Sequence, residues 1–172
     1  MVLASVLALG VLATNRVVPG ESLGQIKIGD PATTLAKLGR PYAGDAAMQK
    51  AWATWLGKGR ARLDVYTVVE SDRPVIRIIR ATSPSFRTAS GLGPGVSEKR
   101  MRRAYPAARD IVTYRPPSGG APVHVFDDIE EGFAFEVQRG QCVGIAVHRA
   151  SHGLNSEMLG IASYLREPLQ RS

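Results

Sequence analysis

The chain has one cysteine, Cys142, in 172 residues. A single thiol closes no internal disulfide, and it says nothing firm about redox compartment. Aromatic residues make up only 6%. Long apolar runs are missing too. Val2 to Ala13 is an uncharged stretch of twelve residues, whereas a membrane-spanning helix needs about 20. No Walker phosphate-binding sequence, nucleophile-elbow sequence or closely spaced pair of metal ligands occurs, so those routes to chemistry have no support in the linear pattern.

What is present is an ordinary globular balance of 44% apolar and 22% charged residues, which argues against disorder for the bulk of the chain. Eighteen glycines and eleven prolines cut it into short elements, favouring strands and turns over long helices. The net charge of +7 is unevenly spread. Residues 1–70 carry +3, residues 71–115 carry +7 and residues 116–172 carry −3. Such polarity speaks to partners and solubility rather than to fold.

The apolar run Val2–Ala13 suits the core of a secretory signal, with Val11-Leu12-Ala13 as a cleavage site, although no positive residue precedes it. The signal is the favoured reading and implies export to a periplasmic or extracellular space. A buried N-terminal segment is the other.

Two phrases echo each other. Ser22-Leu23-Gly24-Gln25-Ile26-Lys27-Ile28-Gly29-Asp30 leads into a helix pattern ending at Gly39. Ser90-Gly91-Leu92-Gly93-Pro94-Gly95 leads into another, ending at Tyr105-Pro106. In the first helix Asp30 is the expected N-cap, Pro31 takes the first turn and Gly39 ends it. Period-two stretches follow each helix and predict strands over 51–56, 63–69 and 75–81, then 111–114, 123–126, 133–137 and 143–149. Arg139-Gly140 reads as a hairpin turn. Asn155 is the expected cap of a C-terminal helix with Met158, Ile161, Ala162 and Leu165 on one stripe.

The expected class is α+β: two tandem repeats, each a short helix followed by a small antiparallel β-meander, plus a C-terminal helix. The divisions are an apolar leader over 1–15, repeats over 16–83 and 84–150, and a helical tail over 151–172. Each sheet is expected to bury one face and to leave the other free for binding.

Ile28-Gly29-Asp30 through Leu38-Gly39-Arg40-Pro41, then Trp52 and Trp55, Leu63-Asp64-Val65 and Val75-Ile76-Arg77-Ile78, carry a likeness. This stretch resembles the repeat shared by the beta-lactamase inhibitor protein and the small outer-membrane-assembly lipoproteins of the SmpA/OmlA type. Phe86-Arg87-Thr88 through Tyr105-Pro106 looks like a related segment of uncharacterised exported bacterial proteins. The likeness spans about residues 20–150 and rests on glycine placement and strand order. It implies tandem helix-plus-sheet units, a cell-envelope or secreted location, and protein binding rather than catalysis. The lipid-attachment cysteine and the inhibitor's disulfides have no counterpart here.

Candidate chemistry is thin. Cys142 and His148 share a strand but lie roughly 20 Å apart at about 3.3 Å per residue. His124 sits on another strand, so no metal site is expected, nor any cofactor. Ser151-His152 with Asp127 or Asp128 forms an implausible triad, because neighbouring strand residues point apart. Asp127-Asp128-Ile129-Glu130-Glu131 reads as a solvated hairpin turn rather than a calcium loop. The glycines before residue 96 read as a tight turn.

The basic middle is the best candidate surface. Arg73, Arg77, Arg80 and Arg87 flank one strand end, and Lys99, Arg102 and Arg103 line a helix face with Arg100 beside them. Such clusters attract nucleic acid or an anionic membrane surface, or pair with the acidic last third. Trp52 and Trp55 are candidate interface anchors or ordinary core. The sequence therefore predicts no catalytic residues. It predicts a non-enzymatic exported module that binds another macromolecule, with a secreted-hydrolase inhibitor or a basic nucleic-acid binder as rivals.

Overall fold

The computed structural model describes residues 15–47, 49–116 and 119–154. The expected leader and C-terminal helix fall almost wholly outside them. Eight strands form one antiparallel sheet: β4 (Ala43–Ala47), β5 (Lys50–Leu56), β6 (Arg62–Glu70), β7 (Arg73–Ala81), β9 (Arg109–Tyr114), β10 (Val123–Asp128), β11 (Phe133–Gln138) and β12 (Gln141–His148). Their order is β4-β5-β6-β7-β12-β11-β10-β9. The alternating, β-branched and aromatic runs predicted above supply most of these strands, because such side chains pack well on a pleated surface. Ser71-Asp72 and Arg139-Gly140 take positive φ at the tips of the β6–β7 and β11–β12 hairpins, as two-residue hairpin turns require.

A small second sheet holds β1 (Arg16–Val18), β2 (Ser22–Leu23), β3 (Ile26–Lys27) and β8 (Arg87–Thr88), in the order β3-β2-β1-β8. β1 and β8 run parallel. With α1 (Glu98–Ala104) this sheet covers one face of the large one. Val17, Leu23 and Ile26 meet Met101 and Tyr105 from the helical side, and Val65, Ile79, Phe133, Phe135, Ile145 and Val147 from the strands. Tyr105 stacks on Phe133 with ring centroids 4.6 Å apart. Gly132 closes this region. At its φ of +65°, a Cβ would lie 2.4 Å from the His148 carbonyl oxygen and 2.7 Å from Gly20 Cα, so only glycine lets the β10–β11 turn approach both.

The expected α+β class is overturned. The described chain is mostly β, and its two runs of strands are not two helix-capped repeats. β7 pairs with β12 over Ile78–Ala81 and Ile145–His148, so the runs share one continuous sheet and one core. The helical part is slight. Ala32–Leu38 is a 3-10 segment that buries none of its residues, and α1 buries only Met101. The first segment fails to start at Asp30 because Gly29 and Asp30 are already bonded to Ile76 on β7. Ala104, at the end of α1, is exposed. Among the described residues no helix is long and apolar enough to cross a membrane.

The expectation of one free sheet face also fails. A second buried cluster holds Tyr66, Ile78, Val123, Val125, Ala134, Ala146 and Leu154 on the opposite face. A register shift at Tyr66/Thr67 makes Arg77 the extra residue of a bulge. Ile76 and Ile78 consequently join different clusters instead of one.

Phe133→Ala is expected to cost about 3–5 kcal/mol, because it empties a fully enclosed site. Leu56→Ala, at a 38% exposed side chain, is expected to stay within about 0.5 kcal/mol. Urea midpoints for both proteins check this.

Candidate functional site

The predicted basic cluster is taken apart by the fold. Arg80 is buried in the second face, not displayed. Its Nε and Nη2 donate to both oxygens of Glu136 on β11 at 2.5 and 2.6 Å, and its Nη1 donates to Asp64 Oδ2 on β6 at 2.6 Å. Between Arg80 and Glu136 lies β12, where Gly144 leaves the space they need. A Cβ there would sit 2.8 Å from Glu136 Oε2 and 3.4 Å from Arg80 Nη2.

Every carboxylate oxygen in this network is engaged. Asp64 Oδ1 accepts from the Thr54 hydroxyl at 2.6 Å and from Arg62 Nη2 at 2.8 Å. Glu136 Oε2 also accepts from the Tyr114 hydroxyl at 3.1 Å. Burial pulls the Arg80 guanidinium pKa down, but Glu136 and then Asp64 outweigh it and hold the value above the ordinary one. Burial, then Glu136, pushes the Tyr114 phenol well above its usual range. The chemistry this arrangement performs is cross-bracing.

The other predicted residues are spread over several places. Arg73 lies exposed beside the β6–β7 turn. Arg77 is half-buried and ion-paired with Glu70, while its Nε–H has no acceptor. Arg87 turns back to the Phe86 carbonyl at 2.9 Å. On α1, Arg102 pairs with Glu98 at 3.4 Å and lies 5.0 Å from the centroid of the Phe126 ring. Lys99 and Arg103 are exposed on the same helix. The two tryptophans, three residues apart on β5, face opposite sides. Trp55 packs at the rim of the first cluster and donates to the Gly39 carbonyl at 3.0 Å. Trp52 packs at the rim of the second. Neither stands free as an anchor.

The acidic turn is corrected too. Asp127 and Asp128 are buried at the end of β10. Asp127 Oδ1 lies 2.8 Å from His148 Nε2, and its Oδ2 accepts the Leu154 N–H at 3.0 Å. The His148 Nδ1 lies 3.0 Å from the Arg149 carbonyl. Ser151 bonds Glu130 instead of any histidine, so Ser151, His152 and Asp127 are not brought together. The doubled aspartate and the histidine closing a strand were visible in the sequence, but their pairing across 21 residues was not. Among the described residues no cluster of metal-ligating side chains forms. Cys142 is buried, and burial followed by Glu136 pushes its thiol up to about 12.

One exposed feature had no sequence signal. β4 is an outer strand of the large sheet. Beside it lies an open cleft of about 870 Å³ lined by Arg40 to Ala46 and by Ala51, Trp52 and Ala53. Tyr42 there is 54% exposed. Asp45 Oδ1 accepts the Ala46 N–H at 2.8 Å.

No protein-family model matches this chain, and no curated protein matches it in sequence. Among solved structures it is similar to that of the uncharacterized protein YfeY from Escherichia coli. The identity is 10%, covering 77% of this chain and 99% of that one, with a TM-score of 0.38. A likeness that weak carries no argument about fold or function.

Two outcomes follow from the brace. Glu136→Leu leaves Arg80 half-paired in a buried place and is expected to cost about 3–5 kcal/mol. Gly144→Ala is expected to destabilise in the same direction by displacing the carboxylate. Chemical denaturation checks both. At alkaline pH, Cys142 is raised from 9.0 and Tyr105 from 10.0, each to about 12, by burial first. A raised acid pKa means the folded chain holds its proton longer. The associated stability is complete below the unfolded values and is lost as pH rises towards 12. The urea midpoint is expected to fall across that window, and to fall less steeply in Tyr105→Phe. A slope unchanged by that substitution contradicts the assignment.

Proposed function

We propose that this chain is a non-enzymatic, exported module that binds another protein along the outer edge formed by β4. The observation that carries the reading is the exposed edge itself. An outer strand offers backbone N–H and C=O groups that an extended partner segment can pair with. Here the flanking cleft, with half-exposed Tyr42 at its wall, gives such a segment room. Ala43, Gly44 and Ala46 place little bulk in the way.

Asp45 supports a partner other than a second copy. It occupies the Ala46 N–H and adds charge to the edge, a device that discourages identical edges from joining. Two such strands paired antiparallel about Asp45 would set two carboxylates together. The resemblance over residues 20–150 supports protein binding over catalysis. The apolar run Val2–Ala13 supports export.

A second reading has its own observation. Lys99, Arg100 and Arg103 are exposed on α1, which favours contact with nucleic acid or an anionic surface. That reading requires affinity that falls steeply as salt rises.

The test is capture from the native host with the intact chain, followed by mass spectrometry. The partner held by the unaltered protein is expected to be lost with Tyr42→Ala and with Asp45→Lys, while both variants melt as the parent does. Capture insensitive to both substitutions, but abolished by moderate salt, favours the α1 reading instead. Fractionation with N-terminal sequencing checks export; cytoplasmic protein that keeps residues 1–13 contradicts it.

A further inference from the structure

Where β12 ends, a small cleft of about 160 Å³ opens between β7 and the turn that follows His148. Arg77, His148, Arg149 and His152 line it, and among the described residues no carboxylate does. Of the nearby acids, Asp127 is committed to His148 and the Leu154 amide, while Glu70 is ion-paired with Arg77 through an Oε1 that has no hydrogen bond. Both ring nitrogens of His148 are engaged, so it shapes the wall rather than binding a ligand.

The donors that remain converge on the cleft from two sides. Arg77, from the β7 bulge, has a buried Nε–H without an acceptor, an arrangement that is unfavourable until an acceptor arrives. Arg149, from the turn, is exposed, and its guanidinium has no bonded partner among the described residues. His152 lies at the rim, and its Nδ1–H donates to the Ala150 carbonyl at 3.1 Å, so the ring is spent on the turn's backbone and is not counted as a donor.

We propose that this cleft binds a phosphate group. Two guanidinium groups at a cleft with no carboxylate among its described lining residues form a donor set suited to an oxyanion. The cleft has room for such a group. This site is separate from the β4 edge and does not depend on the reading given for it.

The experiment is calorimetric titration of the intact chain with inorganic phosphate at low ionic strength, repeated with glycerol phosphate and with acetate. Saturable one-to-one binding of phosphate is expected, with acetate weaker. Arg149→Gln, at an exposed side chain without structural contacts, is expected to weaken binding by about tenfold or more, the scale of one lost charge-assisted contact. Arg77→Lys, which keeps a cation for Glu70 but removes Nε, is expected to weaken it as well. Arg103→Gln, on α1, is expected to leave it unchanged. Retained affinity for glycerol phosphate assigns the site to a phosphoryl group on a larger molecule, and its loss assigns the site to the free ion; both support the proposal. Absence of saturable binding overturns it. So does binding that Arg103→Gln weakens as much as Arg149→Gln, since that marks a diffuse charge effect.

Discussion

One guanidinium holds the large sheet in register. Arg80 on β7 reaches Asp64 on the neighbouring strand β6 and, across β12, Glu136 on β11. It therefore spans the junction at which the first run of strands joins the second. The crossing is possible because β12 carries glycine at position 144. Burying these charges is costly, and a fully paired network only offsets that cost. What it adds is specificity. A slip of one residue along any of these strands would move Asp64, Arg80 or Glu136 to the opposite, apolar face, where none would find its partner. Thr54, Arg62 and Tyr114 add further donors, so that each of the four carboxylate oxygens accepts at least one hydrogen bond.

The same constraint determines what the surface offers. Among the described residues, buried clusters on both faces of the sheet leave less of either face for a partner. Binding then falls to the rims: the β4 edge, the outer side of α1, and the cleft beyond β12. The basic excess of residues 71–115 shrinks accordingly. Arg80 is consumed by the brace, Arg77 is partly neutralised by Glu70, and Arg102 is shared between Glu98 and the Phe126 ring. The histidines follow a similar logic. His148 is tied to Asp127 inside the protein, while His152 is left at the surface.

Legibility in the sequence followed local signal. β6, β7, β11 and β12 were readable because Val, Ile, Phe and Tyr recur there at strand spacing. β4 was not, since Ala43-Gly44-Asp45-Ala46-Ala47 has weak strand preference and is a strand only because β5 lies beside it. The strands of the small sheet run to two or three residues, too short for any period to register. The first helix was misjudged for a tertiary reason: the backbone at Gly29 and Asp30 is bonded to Ile76. Arg80 was placed outside because one face was assumed wet. Its partners lie 16 and 56 residues away, a distance over which no linear pattern reports pairing. Asp127 and His148 were missed for the same reason. The cleft beyond β12 was half visible, through Arg77, but Arg149 gave no sign.

If Arg80 and the β7–β12 pairing make one body of two runs of strands, the runs must unfold together. Native-state hydrogen exchange reads this directly. Amides of β6, β7, β11 and β12 are expected to exchange with a single free energy equal to that of global unfolding. Two distinct free energies, one for the strands before residue 83 and another for those after 109, would contradict the account.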